Sequence, residues 1–443
     1  MRLRRLVAYS WLGLGLAASS WAQAPSFLRP FADEAGTPVG PVVNSISTYT
    51  GVYVLGHPTN IMGQVTSPAS PGTILVGGIA TDTGWYVTGQ RSQAFVDYSL
   101  AYNGDAQFPQ LGGFDHVLVF GAQTSLSPRM TLVLDGMGES MTYAGLLFEP
   151  SSSLLLAQQG GSSEQLGGAP STNVLGTGEA SSPVGLSLYG SRRRDAAIGT
   201  RLVFAKSPRT TWTVSTRFLR LLPASVEAGG VNASIAYGGV SQGIAMVGFT
   251  HSLSRRTELD GDFSYSRSYW MGRGVQVGSA QVGVGRDLSP HWFGRINAGY
   301  GGMTEFPGSL KVPYQGSVQG GASLGAKVGN SALVLSANRS VSDAYGLGAS
   351  KSTGAQAAWV WQRPGGAWTV SGSVAYERLA GTVFALIQGW MGQVTVTRRL
   401  SRTLTLVALG AYATDSGAAG GDFAGLLRRG ARLSLTWRPR GTN

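Results

Sequence analysis

The residues in this chain that could carry chemistry are four imidazoles and a set of regularly spaced charges. His57, His116, His251 and His291 are scattered with no metal-ligand spacing, and the chain contains no cysteine. That excludes a disulfide framework and a thiolate metal site. No glycine-flanked nucleophilic serine appears, and the glycine-rich pieces lack the lysine and following helix of a phosphate loop. Asp115 beside His116 is the one pairing with the residue types of a general base and its partner, and it is a weak candidate. The expectation is therefore no catalytic residue, no cofactor and no metal.

The charges are more informative. In "TELDGDFSYS", Glu258, Asp260 and Asp262 fall on alternate positions opposite Leu259, Phe263 and Tyr265. A period of two is a strand with one oily and one wet face. "HWFGRINAGY" sets Arg295 and Asn297 opposite Trp292, Ile296, Ala298 and Tyr300, and "TTWTVSTRF" sets Thr213, Ser215 and Arg217 opposite Trp212, Val214 and Phe218. In "AWTVSGSVAYERL", residues 367 to 379, Trp368, Val370, Gly372, Val374 and Tyr376 oppose Thr369, Ser371, Ser373, Ala375 and Glu377. Extended along the chain, this phase puts Arg201, Arg217, Arg295, Lys327, Arg399 and Arg432 on wet faces, with Asp97, Asp135, Glu258, Asp260, Asp262 and Glu377. The acidic triplet reads either as a cation-favouring strip or, preferably, as ion-pair partners for the basic strands.

These faces belong to a long series of strands from about residue 91 onward. Short turns punctuate it: "LSPRM", "KSPRT", "LSRRT", "LSPHW", "VGNSA", "QRPGGA" and "RLSRT". Pro, Gly, Asn and Ser supply the turn dihedrals. The strands are expected at 92–102, 114–126, 129–139, 196–206, 210–221, 243–253, 256–268, 275–287, 291–302, 316–328, 331–342, 353–363, 366–379, 386–399, 402–414 and 430–438, sixteen in all. A further pair inside 140–195 would give eighteen, and fourteen is the other neighbouring even count.

A soluble sandwich would fill its apolar faces with bulky side chains, because alanine and glycine there leave voids. A barrel in lipid has no such requirement. Trp292 and Tyr300, like Trp368 and Tyr376, stand eight residues apart on the apolar face, a rise of about 26 Å. After tilting, that approaches the roughly 25 Å apolar band between aromatic girdles. Trp212, Tyr412 and Trp437 fall on the same faces. Charged residues make up 13 % of the chain, against roughly 25 % in typical soluble proteins. The fold expected is all-β: a single transmembrane antiparallel up-and-down β-barrel over 91–438.

The flanking segments read differently. "MRLRR", an apolar run and "SSWAQA" have the layout of a secretory signal peptide over 1–22, cleaved after Ala22, with Ala24 as an alternative. The formal charge of +12 then falls by the three arginines Arg2, Arg4 and Arg5. Residues 23–90 are Pro-, Gly- and Ser-rich and read as an N-terminal arm, either disordered or entering the periplasm or the lumen. Residues 140–195, with Arg192, Arg193 and Arg194, read as a long external loop, and 439–443 as a tail. Basic turn residues such as Arg129, Arg209, Arg255 and Arg256 suit solvent or lipid headgroups, so no nucleic-acid partner is expected.

The last strand, "GARLSLTW", turns Ala431, Leu433, Leu435 and Trp437 to one side and Arg432, Ser434 and Thr436 to the other. It resembles the terminal strand that bacterial outer-membrane barrels present to their insertion machinery, although "RPRGTN" trails after the closing aromatic. The region 91–438 as a whole resembles a bacterial outer-membrane β-barrel of the porin-like class. That resemblance implies an outer-membrane location, lipid and the insertion machinery as partners, and passive diffusion of small hydrophilic solutes. A polymer-export or secretion conduit and a structural or adhesive barrel with a blocked lumen are the alternatives, and assembly into a homo-oligomer is left open.

Overall fold

The computed structural model describes residues 42–56, 72–89, 91–105, 112–142, 192–223, 240–270, 273–306, 315–342, 350–381, 386–417 and 426–438. The expected signal peptide, His57, residues 143–191 of the expected external loop and the tail 439–443 lie outside them. The described residues form eighteen strands. They are β1 (Val42–Gly56), β2 (Gly72–Thr88), β3 (Ser92–Asp105), β4 (Gly113–Ser127), β5 (Met130–Thr142), β6 (Arg192–Ser207), β7 (Thr210–Pro223), β8 (Val240–Ser252) and β9 (Thr257–Trp270), followed by β10 (Arg273–Asp287), β11 (Trp292–Phe306), β12 (Gln315–Val328), β13 (Ser331–Ser342), β14 (Ser350–Gln362), β15 (Trp368–Gly381), β16 (Ile387–Arg399), β17 (Leu404–Gly417) and β18 (Leu426–Trp437).

Each strand pairs antiparallel with its neighbours in sequence, and β1 closes the ring on β18 from Ile46 against Trp437 to Gly56 against Leu427. Closure leaves no strand edge to be satisfied by water, the condition a sheet must meet in hydrocarbon. The count falls within the expected range of fourteen to eighteen. The extra pair, however, is not where it was sought: residues 42–56 and 72–88, expected within an arm, are β1 and β2. Likewise Arg192, Arg193 and Arg194, assigned to the loop, open β6.

The short turns fold by a shared local device. Ser127, Ser207, Ser254, Ser289 and Ser401 each accept through Oγ a hydrogen bond from the backbone N–H two residues on, at 3.1 to 3.2 Å. A serine at the first turn position thus satisfies a donor that the ladder cannot reach. The remaining tight connections rely on glycine: Gly329, Gly365 and Gly366 sit at φ of 57°, 85° and 68°. An eighth short connection, between β2 and β3, closes at the same end through Gly89 N–H to the Ser92 carbonyl, 2.7 Å.

Burial alternates along much of the sheet, most cleanly in β3, β4, β7, β10 and β18, so the ring has an outer and an inner face. Outside are Ile296, Val282 and Val318, 63 %, 60 % and 67 % exposed. So continuous an apolar exterior is far larger than the patches that soluble proteins tolerate. Trp212, Trp292, Trp368 and Trp437 lie on this face near the short-turn end, while Tyr300, Tyr376 and Tyr412 lie toward the other end. Partners reinforce both belts, with Trp390 4.8 Å from the Tyr376 ring and the Arg398 guanidinium 5.0 Å from the Trp368 ring.

Candidate functional site

All twelve charged residues expected on wet faces occupy inward positions of their strands. Asp97, Asp260 and Arg295 are buried there, and Asp135, Arg201, Arg217, Glu258, Asp262, Glu377 and Arg432 are half-buried. Lys327 and Arg399 are exposed at the short-turn rim, where Arg399 Nη2 donates to the Gly365 carbonyl at 3.1 Å. The inner wall also holds Asp82, Asp115, Glu139 and Asp195, all buried, which were not among the expected wet-face charges although Asp115 and Glu139 lie inside the expected strands 114–126 and 129–139. Asp82 was hidden by the unrecognised β2, and Asp195 by placing the start of β6 too late.

Register explains how so many polar side chains share one wall. Cross-strand partners face the same side, and a glycine on the middle strand of three lets a long side chain reach over it. Asp260 of β9 is in register with Gly283 of β10, and its carboxylate passes over that glycine to pair with Arg295 Nη2 of β11. A Cβ at Gly283 would stand 2.9 Å from both Asp260 oxygens. Asp135 of β5 likewise lies over Gly199 of β6, drawn by the guanidiniums of Arg217 and Arg201. Asn297 leans over Gly321 and Asn338 over Gly354, with amide oxygens 2.9 and 2.8 Å from where a Cβ would be. The triplet Glu258, Asp260 and Asp262 therefore resolves in part as an ion-pair partner, through Asp260.

The same construction stitches the closure seam. Tyr49 of β1 crosses Gly78 of β2, donating to the Tyr102 carbonyl at 3.1 Å and to Asn103 Oδ1 of β3. Asn103 Nδ2 donates in turn to Asp115 Oδ2 and to Thr142 Oγ1, the latter at 2.9 Å. The Arg432 guanidinium from β18 stands 5.3 Å from the Tyr49 ring. Five strands are thereby tied by one buried polar network, in which each member satisfies another's desolvated groups.

Toward the long-loop end, Met141 of β5 meets Met391 of β16 and Ala413 of β17 in a buried apolar cluster. β16 and β17 are paired, but β5 is a neighbour of neither in the ring, so the cluster bridges the interior and narrows it. One side of this pinch holds the seam network, and the other is lined by β6 to β15.

The Asp115 and His116 pair is separated by the pleat itself. Asp115 points inward, held by Asn103, whereas His116 points outward and its Nδ1 lies 2.8 Å from the Tyr98 hydroxyl. Consecutive strand residues face opposite sides, so the two cannot act on one substrate. His251 also faces outward, 2.8 Å from the Thr210 hydroxyl, and His291 is exposed in a turn. Among the described residues no three His, Asp or Glu side chains gather as metal ligands.

No protein-family profile matches the chain, and no curated protein matches it by sequence. Solved structures are similar in shape. OccAB3 of Acinetobacter baumannii aligns over 90 % of this chain and 99 % of its own at 8 % identity and a TM-score of 0.45. A BenF-like porin from Pseudomonas fluorescens aligns over 90 % and 99 % at 11 % identity and 0.44. The FrpB iron transporter of Neisseria meningitidis also reaches 0.45, at 8 % identity over 86 % of this chain and 63 % of its own. Likeness at this level does not tell one function from another.

Proposed function

We propose that this chain is a bacterial outer-membrane barrel through which small hydrophilic solutes diffuse passively. One observation carries the reading: a closed ring whose exterior is continuously apolar between two aromatic belts, and whose inner face carries buried and half-buried charged and amide side chains such as Asp97, Asp260, Arg295 and Gln281. A ring of eighteen strands is wide enough to enclose an aqueous channel, and a wall of mixed charges and amides is what a hydrated solute meets in such a pore. Lipid contacts the exterior, and the β18 strand ending in Trp437 is the segment offered to the insertion machinery.

The test is conductance. Purified full-length protein in planar bilayers is expected to give steady open steps, and silence from protein that still shows heat-modifiable gel migration would defeat the proposal. The apolar bridge favours a second reading, a barrel closed at rest. Met141→Ala separates the two: a modest rise over an already open wild type supports free diffusion, whereas opening of a silent wild type supports a closed one.

A further inference from the structure

The interior contains a ramp. Starting at Asp260, the in-register row runs Asp260, Gly283, Asn297, Gly321, Asn338, Gly354, Glu377, one residue per strand from β9 to β15. Long polar side chains alternate with glycines throughout. Asp260 lies near the short-turn end of β9, Asn297 a third of the way along β11, Asn338 past the middle of β13 and Glu377 about two-thirds along β15. The row therefore climbs the wall as it turns. Polar steps fall on every second strand, about 9.6 Å apart, roughly the scale of two linked sugar rings.

Beside the foot of the ramp the wall has unspent hydrogen-bonding capacity. Gln281 Oε1 accepts from Asn297 Nδ2 at 3.0 Å, but Gln281 Nε2 has no partner; nor do Gln319 Nε2 and Arg295 Nε, or Asp260 Oδ1 as an acceptor. Gln281 and Gln319 are only 6 % and 4 % exposed, so their amides are built into the wall. Buried groups in that state are rare because each carries its full desolvation cost. Three donors and one acceptor lie within adjacent rows, and the charge of Asp260 is already answered by Arg295. A free anion would meet Glu258, Asp260 and Asp262, and a free cation would meet Arg295. A hydroxyl both donates and accepts without bringing charge.

We propose that the ramp from β9 to β15 is a binding track for neutral, hydroxyl-rich solutes of oligosaccharide size, with Gln281 and Gln319 as its principal donors. The proposal rests on the channel reading, and the experiment keeps the two apart. Maltotriose added to wild-type channels in planar bilayers is expected to reduce the open current with saturable concentration dependence. The double variant Gln281→Leu, Gln319→Leu is expected to raise the half-blocking concentration at least about fivefold, the worth of one or two lost hydrogen bonds. Single Gln319→Glu, close in shape, serves if the double variant fails to fold by gel migration, and is expected to weaken the block in the same direction.

Open channels that maltotriose does not block, or blocks equally in wild type and variants, overturn the track and leave the channel standing. Block by gluconate as strong as that by maltotriose overturns the neutral-solute assignment. A barrel that never conducts overturns the channel instead. Equilibrium dialysis of labelled maltotriose against the detergent-folded barrel still decides the track, with saturable binding supporting it and none overturning it.

Discussion

The inner wall from β2 to β9 carries Asp82, Asp97, Asp115, Asp135, Glu139, Asp195, Arg201, Arg217 and the triplet Glu258, Asp260 and Asp262. From β10 to β17 acidic groups are sparser: small residues line much of the inner face, Arg295 and Glu377 are among its charges with Lys327 and Arg399 displaced to the rim, and amides recur, among them Gln281, Asn297, Gln319, Asn338, Gln356 and Gln393. Both arcs use one device, a polar side chain laid over a glycine, but what crosses differs. In the first arc the crossing group is often ionised and held by an opposite charge or a buried donor. In the second it is neutral, and several amide atoms end without partners. Charge in a poorly hydrated wall must be matched to be tolerated, whereas an amide can wait for a solute. The first arc is thus built for rigidity and the second for contact.

The sharpest way to break this contrast is at the join, where Asp260 of one arc holds Arg295 of the other. Asp260→Ala strands a guanidinium whose side chain is 5 % exposed, and loss of about 3–5 kcal/mol is expected. Denaturant unfolding in detergent measures it. Replacing both residues, as Asp260→Ala with Arg295→Leu, should recover most of the loss, because no unpaired charge remains.

Next in size is a test of inside against outside within the neutral arc. Val374, 44 % exposed on the outer face of β15, sits near the middle of its strand. Val374→Arg places a charge in hydrocarbon and should cost about 2–4 kcal/mol. Ser373→Arg, one residue away and facing inward, should cost little. Because the amide arc has few charges to neutralise it, Ser373→Arg should shift reversal potentials toward anions, read in a salt gradient across the bilayer.

These residues also mark how much of the molecule could be read from sequence. The sixteen strands β3 to β18 were legible because each repeats its oily and wet alternation over a dozen residues, and that alternation set the facing of Val374, Ser373 and all twelve charges. β1 and β2 were not legible. The outer face of β1 carries Ile46, Thr48, Thr50 and Val52, and β2 interrupts Leu75, Ile79, Trp85 and Val87 with Gly77, Thr81 and Thr83, between proline-rich flanks. What makes them strands is closure of β1 on β18, a pairing of the two chain ends that no local pattern announces. The crossings were invisible for the same reason. That Gly283 serves Asp260, or that Met141 meets Met391, depends on register between strands, and a glycine count cannot tell a lipid-facing glycine from one that clears a path.

The smallest effect tests that last distinction. Adding one methyl at Gly283 puts it 2.9 Å from both oxygens of Asp260 and 3.2 Å from the Asn297 Cβ. The carboxylate cannot swing away without releasing Arg295, so Gly283→Ala should cost about 1–3 kcal/mol. At Gly354 the methyl would meet Asn338 Oδ1 at 2.8 Å, with the Tyr376 carbonyl no closer than 3.6 Å. Asn338 is exposed to the interior and has no charge to hold it, so its amide can turn aside. The lower chain entropy of alanine in the unfolded state then contributes about 0.4–1 kcal/mol in favour of folding, and Gly354→Ala should be neutral or slightly stabilising. Denaturant midpoints measured side by side would decide. Equal losses at the two glycines would mean that the ionised crossing by Asp260 and the neutral crossing by Asn338 are held equally rigidly, and the contrast between charged and amide crossings would fail.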